Sequence, residues 1–284
     1  MHTHLIFYGD YMKITQQKNN LLITELKNFD LALTLDCGQA FRWTKGDDGC
    51  WQGIANGRPL KIKQDQNGLL FYNTTTKDFE DFWRSYFDLD RNYGEIINAV
   101  SVHPVLKQAT DMCGGIRILK QQPFEALCSF IISQNNNIPR IKGIIDRLCT
   151  SFGKNVDGFY AFPDAVTLSK LSLEDLAPLR SGFRAKYILD AAQKCASGEI
   201  DFDNIHALPL DKARDELMKI KGVGPKVADC TLLFGFYKTD AFPQDVWIKR
   251  AMQTLFDGVL PDCAKANAGI VQQYIFHYAR TMNI

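Results

Sequence analysis

The hydrophobic period of this chain changes once, near residue 77, and that change limits the folds open to it. Before it, short aromatic or branched runs follow one another closely: Leu21-Leu22-Ile23-Thr24, Gln39-Ala40-Phe41-Arg42-Trp43-Thr44, Gly49 to Ile54, Arg58 to Lys63 and Leu69 to Tyr72. Turn residues lie between them, including Asn56-Gly57 and Asp65-Gln66-Asn67-Gly68. Such spacing predicts antiparallel hairpins. After it, Phe79, Phe82, Trp83, Tyr86 and Phe87 recur every three or four residues and form one apolar face. Helices are predicted over 123–132, 138–152, 171–177, 185–197, 210–220, 225–237, 246–256 and 266–282, with Pro123 and Pro225 suited to first helical positions. The predicted class is α+β by segregation: a small antiparallel sheet, then a large all-helical region. The expected divisions are an N-terminal extension over 1–19, a β domain with an added helix over 20–100, and a helical region over 101–284.

Composition excludes several classes. A chain of 284 residues that is 46% hydrophobic can bury a sizeable core without covalent staples. Its eight cysteines are scattered, with no CxxC pair and no Cys/His spacing suited to a metal. A reduced, intracellular setting is expected. No 18-residue apolar run is present, so no membrane span is expected. The formal net charge of +1 counts against a strongly basic nonspecific nucleic-acid binder, though not against a local basic face. Arg140, Lys142, Arg147, Arg184, Lys186, Lys219, Lys221, Lys249 and Arg250 could supply one.

Two segments carry the chemistry. Leu217-Met218-Lys219-Ile220-Lys221-Gly222-Val223-Gly224-Pro225-Lys226 reads as helix, short glycine hairpin, helix, spanning about 210–237 with its flanks. Gly222 and Gly224 can take positive φ, and the N–H groups opening the second helix can hold a phosphate. A tight corner between helices with no ligand would use the same residues. The segment is not a P-loop, because the first glycine stands only four residues before Lys226 and no Lys-Ser/Thr pair follows. Lys226 falls in the first helical turn, where the helix dipole opposes a cation and favours the free amine that a nucleophile requires. Cys230 and Leu233 share its face. The second segment, Phe242-Pro243-Gln244-Asp245, puts a carboxylate at the start of the next helix. Capping alone would explain Asp245, and a fixed carboxylate can also stabilise a developing positive charge.

Together these residues resemble the 8-oxoguanine DNA glycosylase family of the helix-hairpin-helix glycosylase superfamily, over about residues 20–280. Further matching pieces are Cys37-Gly38-Gln39-Ala40-Phe41-Arg42-Trp43, Gly115-Ile116-Arg117-Ile118-Leu119, Ser133-Gln134-Asn135-Asn136-Asn137-Ile138-Pro139-Arg140, Gly182-Phe183-Arg184-Ala185, and Ala268-Gly269 with Gln272 and Phe276. The resemblance implies a bifunctional glycosylase and AP lyase acting on duplex DNA by base flipping, as a monomer, with no cofactor or metal. Lys226 would attack C1′ and form a Schiff base, with β-elimination to follow, and Asp245 would stabilise the cationic sugar. Gly38 would offer its carbonyl to the N7–H of 8-oxoguanine, a donor that guanine lacks. Cys230 and Phe276 would sandwich the base and Gln272 would bind its Watson–Crick edge. Asn135 would fill the gap in the duplex, Phe183 would wedge the stack, and Arg140 and Arg184 would read the orphaned cytosine. Gly222, Val223 and Gly224 would grip the DNA backbone, and Lys249 would also contact DNA.

The chain departs from the family at two places. Phe183 stands for the family's tyrosine wedge, and Trp247 stands for the histidine of the eukaryotic members two residues after the aspartate. The four-cysteine iron–sulfur loop of endonuclease III relatives is reduced to Cys263. Two other readings compete. A monofunctional alkylbase glycosylase keeps the aspartate but lacks the lysine, and a noncatalytic hairpin module needs neither.

Overall fold

The computed structural model describes residues 5–8 and 12–284. Seven strands, β1 (Leu5–Tyr8), β2 (Met12–Gln17), β3 (Asn20–Thr24), β4 (Trp43–Lys45), β5 (Trp51–Ala55), β6 (Arg58–Asp65) and β7 (Gly68–Tyr72), form one antiparallel sheet in the order β1-β2-β3-β7-β6-β5-β4. Alternation decides its buried face. Ile14, Leu21, Ile23, Ile62, Leu69 and Phe71 all turn inward onto Phe79, Trp83 and Phe87, whose three-and-four spacing sets them on one side of a helical segment. The sheet extends further toward the N-terminus than the run of hydrophobic segments from residue 20 implies. Met12 and Ile14 alternate inward on β2, which pairs with β3 across a two-residue turn. The Asn56-Gly57 turn joins β5 to β6 with positive φ at both residues, as a tight hairpin of this kind requires.

Segregation of sheet and helix holds with two exceptions. A short helix, Leu31–Asp36, is inserted between β3 and β4, and a two-stranded hairpin, β8 (Asn155–Val156) with β9 (Phe159–Tyr160), lies inside the helical region. The strand expected over 39–44 is confined to Trp43–Lys45. Gln39 explains this. Its buried amide donates to the Thr34 and Arg117 carbonyls, both at 2.8 Å, and accepts from the Leu119 N–H at 2.9 Å. The polar groups here are satisfied by a bracket between two loops rather than by a strand ladder. Gly38 is thereby fixed at φ +88.

The helical core gathers the helices Pro123–Ser133, Ile138–Phe152, Arg184–Ser197, Leu210–Leu217 and Pro225–Gly235. A second apolar cluster joins Val246–Phe256 to Ala268–Met282 through Ile248, Met252, Val271 and Ile275. Among the described residues, no helix is long and apolar enough to cross a membrane.

Candidate active site

The glycine hairpin is shaped by one glycine rather than two. Gly222 takes φ +78, and a Cβ there would stand 2.3 Å from Tyr187 Cδ2. Gly224 is extended at φ −100, with open space where a side chain would lie. Val223 is buried and its N–H donates to the Ile220 carbonyl at 3.1 Å, so a phosphate would have to share or replace that bond. Gly224 opens the Pro225–Gly235 helix with no side-chain cap, which leaves first-turn N–H groups to an incoming anion.

Two neighbours hold the hairpin from behind. The Asp190 carboxylate accepts from the Lys221 N–H at 2.8 Å and pairs with the Lys221 amine at 3.4 Å. Arg214 Nε donates to Asp229 Oδ1 at 2.6 Å and locks the two hairpin helices together. Burial pushes the Asp229 carboxyl above its usual range, and Arg214 partly offsets this.

Lys226 projects from the first turn of the Pro225 helix, with its amine 5.2 Å from the centre of the buried Phe130 ring. Its positive charge also acts on the Cys230 thiol, one turn further along the same helix. Burial pushes that thiol up to about 11, against the opposing influence of Lys226, while the charge of Asp245 also reaches it. The nucleophile candidate, the thiol and the carboxylate therefore share one electrostatic neighbourhood. Asp245 is the N-cap of the Val246–Phe256 helix and accepts from the Ile248 N–H at 2.8 Å, so its position is fixed. Gln272 is buried against the same loop. It donates to the Pro243 carbonyl at 3.0 Å and accepts from Gln273 at 2.6 Å. Phe276, one turn further along its helix, is half-buried, and a Cβ on Gly38 would stand 3.9 Å from its ring.

A second group of site candidates lies where the Ile138 and Arg184 helices begin. Asn135 is exposed with φ +45, and Asn137 caps the Ile138–Phe152 helix. Phe183 is 48% exposed, with the Arg184 guanidinium 4.5 Å from its ring centre. Arg184 itself is only 2% exposed. It donates to the Gln134 and Asn135 carbonyls and to the Ser181 carbonyl. In this structure it braces the asparagine loop, and contact with a base would require those bonds to be exchanged. Arg140 and Lys249 are exposed. Not every basic residue of the suggested face is available. Lys142 donates to the Trp43 carbonyl, Arg147 to the Leu179 carbonyl, and Lys219 is paired with Glu216.

Three contributors were not legible as site residues. Phe130 reads only as part of an apolar helix, and its place under Lys226 comes from packing between helices. Tyr187 and Asp190 sit at ordinary helical positions. Gln39 carried a signal, since it lies inside the Cys37-to-Trp43 motif.

Comparison with known proteins bears on this geometry. Residues 21–127 match the N-terminal domain of 8-oxoguanine DNA glycosylase, and residues 128–258 match the HhH-GPD superfamily of base excision DNA repair proteins. A probable N-glycosylase/DNA lyase of Methanothermobacter thermautotrophicus is 33% identical over 296 residues, covering 89% of this chain and 94% of that protein. The N-glycosylase/DNA lyase of Saccharomyces cerevisiae is 32% identical over 78% of this chain, which spans 66% of the yeast protein's length. Among solved structures, the Clostridium acetobutylicum 8-oxoguanine glycosylase/lyase, bound to duplex DNA with cytosine opposite 8-oxoguanine, superposes with a TM-score of 0.90. It is 39% identical, with 97% of this chain and 100% of that one covered.

Proposed function

The chain belongs to the 8-oxoguanine DNA glycosylase family, and we propose that it is a bifunctional DNA glycosylase and AP lyase that removes 8-oxoguanine from duplex DNA. The observation that carries the proposal is the placement of Lys226, at an uncapped helix start on the same helix face as Cys230, with its amine over the buried Phe130 ring. A phosphate held on the hairpin N–H groups would bring the flanking sugar to the amine. The free amine attacks C1′, the C1′–N9 bond breaks, and its electron pair leaves with the purine, which takes up a proton. The positive charge building on the sugar faces Asp245, already fixed by its capping bond. The attacking nitrogen then loses a proton, the C1′–O4′ bond breaks with O4′ taking up a proton, and the opened sugar is left as a protonated imine with the cation on Lys226 Nζ. Loss of a C2′ proton then expels the 3′ phosphate. This amine chemistry calls for no metal or cofactor.

The lesion would be told from guanine by the carbonyl of Gly38, an acceptor that suits the N7–H of the oxidised base and repels the N7 lone pair of guanine. Cys230 and Phe276 would hold the base on its two faces and Gln272 its edge. Asn135 and Phe183 would fill the duplex, with Arg140, and Arg184 once released from the asparagine loop, on the orphaned cytosine. Gly222, Val223 and Gly224 would grip phosphates through their backbone, and Lys249 through its side chain. Extruding the base costs a few kcal/mol, which these contacts must offset. The protein would act as a monomer.

The test is a single-turnover assay on a duplex with one 8-oxoguanine opposite cytosine, with borohydride trapping. The expected result is base release with a trapped covalent adduct, both lost in Lys226→Gln. Release without an adduct would point to a monofunctional enzyme, and binding without release to a noncatalytic module.

A further inference from the structure

Arg180 occupies a backbone position that suits glycine, and its side chain stands in a patch of unpaired cations. It closes the turn Ala177–Leu179 with φ +54 and ψ +34, in the left-handed region. Of the twelve non-glycine residues with positive φ among those described, eight are Asn or Asp; Arg180 is not. A side chain with a Cβ is disfavoured there, because the Cβ crowds the following carbonyl oxygen. Two other arginines hold the turn in place. Arg147 donates through Nε and Nη2 to the Leu179 carbonyl at 3.1 and 2.8 Å, and Arg140 Nη2 lies 3.4 Å from the Arg180 carbonyl.

The Arg180 side chain borders a recess shared with Arg140, Leu173, Phe183 and Lys186. Arg140, Arg180 and Lys186 are exposed, and among the described residues none forms an ion pair. The nearby carboxylates do not reach them: Asp175 accepts from Ser172, and Glu174 points to no cation within pairing distance. Elsewhere on the surface Lys61, Lys77, Lys107, Lys219 and Lys265 each sit on a carboxylate. A like-charged cluster that includes a left-handed arginine beside an exposed aromatic ring is built for an anion supplied from outside.

We infer that Arg180 is a specificity-side contact to a backbone phosphodiester of the strand opposite the lesion. The strand assignment rests on the proposed function, which faces Arg140 and Phe183 toward the orphaned base. Arg140 would engage the base itself, while Arg180, whose carbonyl lies 3.4 Å from Arg140 Nη2, would fix the phosphate beside it. Phosphate contacts set register rather than read sequence, so Arg180 would hold the orphaned nucleotide where Arg140 can test it.

Arg180→Gly tests this without endangering the fold, because glycine accepts the backbone conformation freely. The variant should melt at or above the temperature of the parent. Its binding to a duplex carrying 8-oxoguanine opposite cytosine should weaken, with the slope of log K against log salt shallower by about 0.9. Arg180→Lys should retain the parent's slope. Neutral methylphosphonate linkages walked along the opposite strand should weaken the parent at one position and leave Arg180→Gly indifferent there. An unchanged slope in Arg180→Gly, or a sensitive linkage only in the lesion strand, would overturn the inference. Base release by the unmutated protein, measured on the same duplex, reports separately on the glycosylase reading.

Discussion

The amine of Lys226 and the ring of Phe130 lie 5.2 Å apart, so the proposed nucleophile rests over an aromatic face. That face cannot drift. Phe130 stacks on Phe234 at 5.3 Å and meets Phe41 edge-on at 5.9 Å, and Phe41 belongs to the loop that presents Gly38. One aromatic cluster thus supports both the amine and the loop proposed to recognise the lesion. The ring would favour the positive charge that Nζ carries as the protonated imine, by roughly 0.5–2 kcal/mol.

Phe130→Leu should therefore lower the single-turnover yield of trapped adduct about three- to tenfold. It should also destabilise the protein by roughly 1–2 kcal/mol through imperfect refilling of the core. Thermal unfolding and trapping, measured on the same preparation well below the melting temperature, separate the two effects. A lower melting temperature with full trapping would reduce Phe130 to a packing residue.

The two hydrophobic periods made most of the fold legible, because a sheet face and a helix stripe need only a repeating pattern. The Val246–Phe256 helix, capped by Asp245, has the expected bounds. What the pattern could not carry were bonds between distant segments. Gln39 reads as a strand residue until its side chain is seen bridging Thr34, Arg117 and Leu119. In the site, Lys226 and Asp245 were legible because each has a local signature, a glycine hairpin and a cap. Phe130, Asp190 and Arg180 have none, since their roles depend on which helices come to lie side by side. Arg184 shows the converse: the motif marks it for DNA, and the fold first uses its guanidinium to brace the asparagine loop.

Asp190 connects the Arg184–Ser197 helix to the hairpin, and its acceptor role can be separated from its charge. Asp190→Ala leaves the Lys221 N–H without its partner and should cost about 1–3 kcal/mol of stability, along with weaker duplex binding. Asp190→Asn keeps an acceptor and should lose less of both. Equal losses in the two variants, by thermal unfolding and binding titration, would assign the effect to the ion pair with Lys221.

Gly222→Ala should be among the most damaging small substitutions in the hairpin. It meets a left-handed backbone at φ +78 and a Cβ position 2.3 Å from Tyr187 Cδ2. The backbone term alone is about 1–2 kcal/mol. Adding Tyr187→Ala removes the clash but not the backbone term, so a double-mutant cycle should recover only part of the loss. Full recovery would show that the turn tolerates a side chain. Gly224→Ala, with open space before it, should fold normally, and any loss of duplex binding it shows would report on ligand approach.

Glu125 gives the structure a pH dependence of defined sign. It lies buried in the first turn of the helix that carries Phe130, with Arg42 Nη1 at 4.0 Å. That separation is too long for a hydrogen bond, so Arg42 only partly offsets desolvation, and the carboxyl is pushed up from 4.5 to about 7. The folded protein then holds a proton here that the unfolded chain has released. Stability from this group is fully present below about pH 4.5 and is lost as pH rises through about 7, by an amount on the order of 3 kcal/mol. Glu125→Gln cannot ionise and keeps the shape. Its melting temperature should match the parent's near pH 4.5 and exceed it increasingly up to pH 8, by roughly 5–10 °C. A constant difference across that range would mean that Arg42 holds Glu125 ionised throughout. A fall in the parent's excision rate over the same range, absent from Glu125→Gln, would show that the strain of ionisation reaches Phe130 and the amine above it.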